Sequence, residues 1–302
     1  MNWIKRGLQW SAAGCLRAPG LRQAARAAGR SSFLPPEFWR HVPVTGPVPV
    51  RLADGVEILY QSGLMDHLGR ILFFGGPTHW EPEVARVLPA LARHAGGVVD
   101  VGAHTGLFTL IALAANPAAQ AVAVEPVLVN ARLLQANLAA NGMVGRCVLA
   151  VAAATAEPGV VPFDFGPVEV PMTSAIRGGE GGPGGGRVPA VSLDFVAGWL
   201  PSVDLVKIDV EGFEHLVLAG GEKTLEDARP TIVIECLPGS QVESFSATWD
   251  RLGYRRFHLL PDRAVPVRTI EPRTDAPTHN YLLAARPEVL AEVSGLPTTR
   301  AT

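Results

Sequence analysis

The chain is poor in the residues that would place it outside the ordinary globular class. It has only three cysteines in 302 residues, Cys15, Cys147 and Cys236, far apart and odd in number. No C-x-x-C pair occurs, so neither a zinc site nor a disulfide framework is suggested, and the thiols read as incidental groups of a reducing compartment. A basic excess is also missing: 26 Lys+Arg stand against 28 Asp+Glu, a formal charge of −2, which argues against a general nucleic-acid binder. Long apolar runs are scarce. The longest uncharged stretch, Leu107 to Val124, is divided by Asn116-Pro117 and interrupted by Gln120, so it reads as helix, turn and buried strand and not as a membrane span. The expected setting is cytoplasmic, with no transmembrane segment.

What is present is a chain 48% hydrophobic and 18% charged, long enough for one large domain with a small appendage. From Met1 to Pro36 there is no acid, while Lys5, Arg6, Arg17, Arg22, Arg26 and Arg30 are cationic. A solvated helical leader, a surface contact and a targeting segment all suit that pattern; a secretory signal lacks its apolar core. Val48–Tyr60 reads as two short strands turning at Asp54-Gly55. A helix is expected from Pro82 to His94, with Trp80-Glu81-Pro82 either entering it or lining an acceptor pocket.

Short β-rich runs then alternate with helical segments. The runs are Gly97–Val101, Ala121–Glu125, Cys147–Ala152, Val203–Val210, Thr231–Cys236 and Asn280–Ala284. The helical segments include Leu107–Ala115, Leu128–Ala140 and Glu214–Ala219. This alternation implies a largely parallel sheet covered on both faces. The glycine-rich segment Gly178–Gly186 cannot bury a core and reads as a mobile loop, either a neutral insertion or a lid.

The first constellation is Val98-Val99-Asp100-Val101-Gly102-Ala103-His104-Thr105-Gly106, an apolar strand ending in an acid and followed by a glycine loop. Gly102 and Gly106 permit a sharp turn and close approach of a ligand to the backbone, and the next helix offers free N–H groups. The loop lacks the third glycine of G-x-G-x-x-G, and no G-K-[ST] follows it, so neither a nicotinamide fingerprint nor a P-loop fits. An acid beside the loop repels a pyrophosphate and welcomes an ammonium. Glu125, 23 positions past Gly102 at the end of the next strand, sits where Rossmann-type folds place a ribose-binding acid. Asp100, the loop Gly102, Ala103, His104, Thr105 and Gly106, and Glu125-Pro126 together describe a site for S-adenosyl-L-methionine. The alternative is that Asp100 and Glu125 merely cap helices.

The second constellation runs from Asp204 to Glu214, D-L-V-K-I-D-V-E-G-F-E. Strand periodicity puts Leu205, Lys207 and Asp209 on one face, and a buried Lys207 requires a nearby carboxylate. Here Lys207–Glu214 (K-I-D-V-E-G-F-E), Val217–Gly221, Arg229–Glu235, Asp100–Gly106 and Val191–Asp194 resemble the FkbM-type methyltransferases over about Val48 to Leu283. His104 departs from the Asn common there. The resemblance implies a class I methyltransferase fold and methyl transfer from S-adenosylmethionine to a hydroxyl of a sugar or natural product.

Such a transfer needs alignment of acceptor and methyl group, and a place for the proton. Asp209 is the first candidate for base or acceptor-orienting group; Glu211 and Glu235 follow, with Glu211 alternatively a turn residue. His104, His215 and His279 lie near strand ends or the motif and are weaker candidates. Asp209 with Glu235 shows no metal-ligand spacing, and no metal is assigned.

The expected architecture is a Rossmann-like, seven-stranded, mostly parallel α/β domain over 48–286, with an N-terminal extension over 1–47 and a tail over 287–302. The expected partner is a small-molecule or glycan acceptor, with a homo-oligomer as a candidate assembly. N- or C-methylation, a nicotinamide oxidoreductase and a catalytically silent cofactor-binding protein are the competing readings.

Overall fold

The computed structural model describes residues 19–30, 42–52, 55–63, 66–165, 175–176, 185–272, 274–286 and 288–289. Cys15, most of the acid-free leader, Asp54, Gly178–Gly184 and the final residues lie outside these. Two compact units are formed, Met1–Pro82 and Glu83–Thr302.

In the first unit, helix α1 (Pro19–Arg30) precedes strands β1 (Gly46–Arg51) and β2 (Glu57–Ser62) and helix α2 (His67–Phe74). The strands form the expected antiparallel hairpin, with Val48 opposite Tyr60. Pro47 and Pro49 alternate along β1, so one edge of that strand has no N–H to offer. Its outward carbonyls are taken by arginines of α1. Arg22 donates to Thr45 O at 2.8 Å and Pro47 O at 2.7 Å, and Arg26 donates to Pro49 O at 2.6 Å. These leader arginines are therefore structural ligands of a strand edge.

The second unit begins with helix α3 (Pro82–Ala92), its first residue apart, then strand β3 (Gly97–Val101), α4 (Leu107–Ala115), β4 (Gln120–Val124) and α5 (Leu128–Ala140). Strands β5 (Cys147–Ala150), β6 (Ala153–Ala154), β7 (Gly159–Asp164), β8 (Ala175–Ile176) and β9 (Gly185–Val191) follow. Next come α6 (Leu193–Ala197), β10 (Leu205–Ile208), α7 (Glu214–Ala219), α8 (Glu222–Asp227) and β11 (Thr231–Glu235). Helix α9 (Ser246–Leu252) and strands β12 (Arg255–Leu259), β13 (Ala264–Val267) and β14 (Asn280–Ala284) complete it.

The main sheet has the order β13-β12-β14-β11-β10-β3-β4-β5. Strands β11, β10, β3, β4 and β5 are parallel, while β14 runs antiparallel to both β11 and β12. The sheet is mostly parallel as expected, but it has eight strands. Neither β12 nor β13 was among the expected runs; β13 pairs with β12 at the end of the sheet and carries Pro266, a residue suited to an edge. Strands β3 and β10 are buried at every position, because helices cover both faces of the parallel core.

A second sheet, β6-β9-β7-β8, was not anticipated. Gly185 and Gly186 belong to its strand β9 and not to a loop. At Gly186 an added Cβ would lie 2.7 Å from the Phe165 ring, so the aromatic occupies the space of the missing side chain. Among the described residues no helix is long and apolar enough to cross a membrane.

Candidate active site

The carboxyl ends of β3, β4, β10 and β11 bring the two constellations together. Asp209 N–H donates to Val101 O at 3.0 Å, which extends the β10–β3 pairing to the edge of the sheet. Gly102 follows with φ +78°, and a Cβ there would lie 1.7 Å from the Asp209 carbonyl oxygen. Only glycine lets the cofactor-type loop turn flush against the end of β10. Gly106 has φ +88°, and its Cβ would meet Leu134 at 2.7 Å. Between them Gly102 N–H and Ala103 N–H both donate to Val124 O. Thr105 O accepts the Asn137 side-chain amide at 2.7 Å. His104 has φ +50°, a left-handed backbone tolerated best by Asn, Asp and His among residues with side chains. That explains why His can stand where the related motif has Asn.

Asp100 is 2% exposed. Its Oδ2 accepts the Thr109 hydroxyl at 2.5 Å, so the strand acid holds the first turn of α4. Its Oδ1 is buried without a hydrogen-bond partner. Burial raises the Asp100 pKa, against the field of Lys207 and the bonds from Thr109. Glu125 is similarly engaged. Oε2 accepts His104 N–H at 2.8 Å, and Oε1 accepts Val127 N–H at 2.8 Å and the Asn130 amide at 3.4 Å. Burial pushes the Glu125 carboxyl up to about 7, although these donors oppose the shift. Both acids thus cap or staple backbone in this structure, which is the bland alternative of the sequence reading. A carboxylate has about four lone-pair sites, so these bonds leave acceptor capacity on each group. Pro126 is half-buried beside Glu125.

At the other half of the edge, Lys207 stands opposite Asp100 in the β10–β3 register. Its Nζ lies 2.8 Å from Asp209 Oδ2 and 4.7 Å from the centre of the Phe108 ring. The Lys207 side chain is 3% exposed and that of Asp209 22%. Burial opposes ionisation of Asp209, but Lys207, a hydrogen bond with Glu235 and the field of His104 outweigh it, so its carboxyl is held below the ordinary value. Ile208 pairs with Ile234, which puts Asp209 and Glu235 at the adjacent tips of β10 and β11.

Glu211 occupies a left-handed turn, φ +55°, followed by Gly212 at +97°. Glu214 closes the turn by accepting Gly212 N–H at 2.8 Å and the Ser240 hydroxyl at 3.2 Å. Burial first, then the neighbouring Asp209 and Glu214, push the Glu211 carboxyl up to about 7. His215 stacks near Phe213, and His279 supplies the carbonyl that accepts Cys236 N–H; neither contact brings a histidine ring to Asp209. Trp80-Glu81-Pro82 ends the first unit, with Glu81 at φ +37°.

Sequence reasoning missed three apolar side chains. Leu128 is 51% exposed, and Val129 and Val151 are each 40% exposed. They follow the ends of β4 and β5, and Glu125 N–H bonds Ala150 O at 3.0 Å, so Val151 lies next in chain to Glu125's partner. Their signal was positional, one or two residues beyond a strand end.

A glycine loop against a carboxyl-edge acid, set in this sheet order, defines a nucleotide-binding α/β protein of the Rossmann-like kind. The family model described as methyltransferase FkbM domain matches residues 100–258, more than half of the chain, and the chain belongs to that family. The family is one of methyltransferases that use S-adenosylmethionine. No curated protein matches. Among solved structures, a methyltransferase FkbM from Methylobacillus flagellatus KT is 16% identical with TM-score 0.42, the alignment covering 71% of this chain and 54% of that one. An S-adenosylmethionine-dependent O-methyltransferase from Thermotoga maritima is 15% identical with TM-score 0.39, covering 80% and 78%. A methyltransferase from Agrobacterium tumefaciens with the same cofactor dependence is 15% identical with TM-score 0.38, covering 68% and 62%.

Proposed function

We propose that the chain methylates a hydroxyl oxygen of a small molecule, such as a sugar, glycan or natural product. The observation that carries this reading is the cluster of carboxyl groups, Asp209, Glu211 and Glu235, at and just beyond the tips of β10 and β11. Removing a hydroxyl proton requires an acceptor whose pKa lies near the working pH. Glu211, at about 7, suits that task. Asp209, ionised and held by Lys207, suits the orientation of the acceptor hydroxyl.

The residues fit the cofactor. The orphaned Asp100 Oδ1 suits an ammonium, the spare acceptor capacity of Glu125 suits ribose hydroxyls, and Leu128, Val129 and Val151 offer apolar surface for an adenine. Gly102 to Gly106 and Pro126 complete this proposed set. When bound, S-adenosylmethionine supplies an electrophilic methyl group on a sulfonium. The chain's own part is to align the acceptor, to exclude water, and to receive the proton on a carboxylate.

All these residues fall within 48–286, our proposed functional domain, with 1–47 as extension and 287–302 as tail. A cytoplasmic setting is supported by the free thiols of Cys147 and Cys236.

The test combines calorimetry with S-adenosylmethionine and turnover on a panel of hydroxylated acceptors, the methylated atom being located by carbon NMR. We expect cofactor binding and an O-methyl product. Methyl on nitrogen or carbon, or binding without turnover on any acceptor, would overturn the reading.

A further inference from the structure

Lys207 lies in the most buried part of the sheet, where an ammonium costs several kcal/mol unless it is paired, and where an apolar side chain would serve packing as well or better. Its surroundings give it more than a packing role. One carboxylate, Asp209, is at 2.8 Å on the same strand face. A second, Asp100, is its register partner on β3 and feels its field. The Phe108 ring covers it at 4.7 Å, from the first turn of the helix that Asp100 caps. The cation thereby borders β3, helix α4 and the tip of β10.

We propose that Lys207 is a positioning residue for methyl transfer, a buried cation that fixes the Asp209 carboxylate toward the acceptor and ties it to Asp100 beneath the glycine loop. The proposal rests on the reading of Asp209 as an acceptor-orienting group. Two properties follow from the geometry. Asp209 is confined to one orientation, because the ammonium engages Oδ2 and leaves Oδ1 for other partners. Asp209 also stays ionised, despite a crowd of like charges. The groups that face it are Asp100 from β3, His104 from the glycine loop, Glu211 and Glu214 from the turn into α7, and Glu235 from β11.

The experiment uses the full chain labelled with carbon-13 at aspartate Cγ, the Asp209 signal being assigned by its loss in Asp209→Asn. Carboxylate titrations are compared for the wild type, Lys207→Met and Lys207→Arg. In Lys207→Met we expect the Asp209 midpoint to rise by about one pH unit or more, and in Lys207→Arg to return toward the wild-type value. On the acceptor panel, Lys207→Met should lower kcat by about tenfold or more, with the cofactor Kd changed less than about threefold. An unmoved Asp209 midpoint overturns the proposal, as does activity that falls only with the folded fraction. If Lys207→Met does not fold, Lys207→Arg decides: a low Asp209 midpoint with reduced kcat supports positioning, and full wild-type kcat overturns it. A panel on which even the wild type is inert counts against the hydroxyl reading alone, since the titration still decides the role of Lys207.

Discussion

The Glu125 carboxyl, pushed up to about 7 by burial from an ordinary 4.5, binds more protons in the folded chain than in the unfolded one. The sign follows directly. Stability contributed by this group falls as pH rises from about 4.5 to about 7, by something of the order of 3 kcal/mol. Glu211 acts in the same direction, with less weight because it is more exposed. Glu125→Gln should therefore flatten the decline, read by guanidinium unfolding at about pH 5 and about pH 7.5. An identical slope in wild type and variant would show that the burden lies elsewhere. At this scale the sequence was legible where a residue type is demanded by geometry. Gly102, Gly106 and the acid at each strand end could be read off directly. The side-chain engagements could not, because Thr109, Val127 and Asn130 become partners of Asp100 and Glu125 only after helices α4 and α5 dock.

Two acids of the recognised motifs turn out to serve elements and not chemistry. Asp204 accepts Gly96 N–H, Gly97 N–H and the Ser202 hydroxyl, and pairs with Arg286, all at the amino end of the sheet. Asp194 accepts Lys223 N–H at 3.2 Å, Thr224 N–H at 2.7 Å and the Thr224 hydroxyl at 2.6 Å, which caps the first turn of α8. Asp194→Ala should cost about 1–2 kcal/mol, the loss of a capping carboxylate, and leave the cofactor Kd unchanged. Denaturant unfolding and calorimetry read the two quantities separately; a large change in Kd would place Asp194 in the site after all. The buried parallel strands were found to within a few residues, since near-continuous apolar runs admit few other readings. The small sheet, β12 and β13 escaped: β7, β9 and β13 carry glycine or proline and stay partly exposed, and β12 opens on Arg255-Arg256. Pro266 was the available clue to β13, lying on a strand edge.

For the second unit, the mostly parallel sheet agrees with what alternation implied and the family with the resemblance carried by Lys207–Glu214, while β13 is an addition at the sheet edge. The acceptor was illegible because acceptor choice rests on variable loops and not on the strand motifs that the sequence displays. Gly102→Ala tests how tightly the core of this unit is drawn together. A Cβ 1.7 Å from Asp209 O and a left-handed φ of +78° make about 2 kcal/mol or more of destabilisation the expected outcome, with weaker cofactor binding. Scanning calorimetry and titration with S-adenosylmethionine check both; unaltered values would mean that the tips separate freely. The same contact has a bearing on redesign. Since the tips of β3 and β10 abut with no slack, neither can be retailored without disturbing its neighbour. Any redesign of this unit is best drawn around the seam, leaving it untouched.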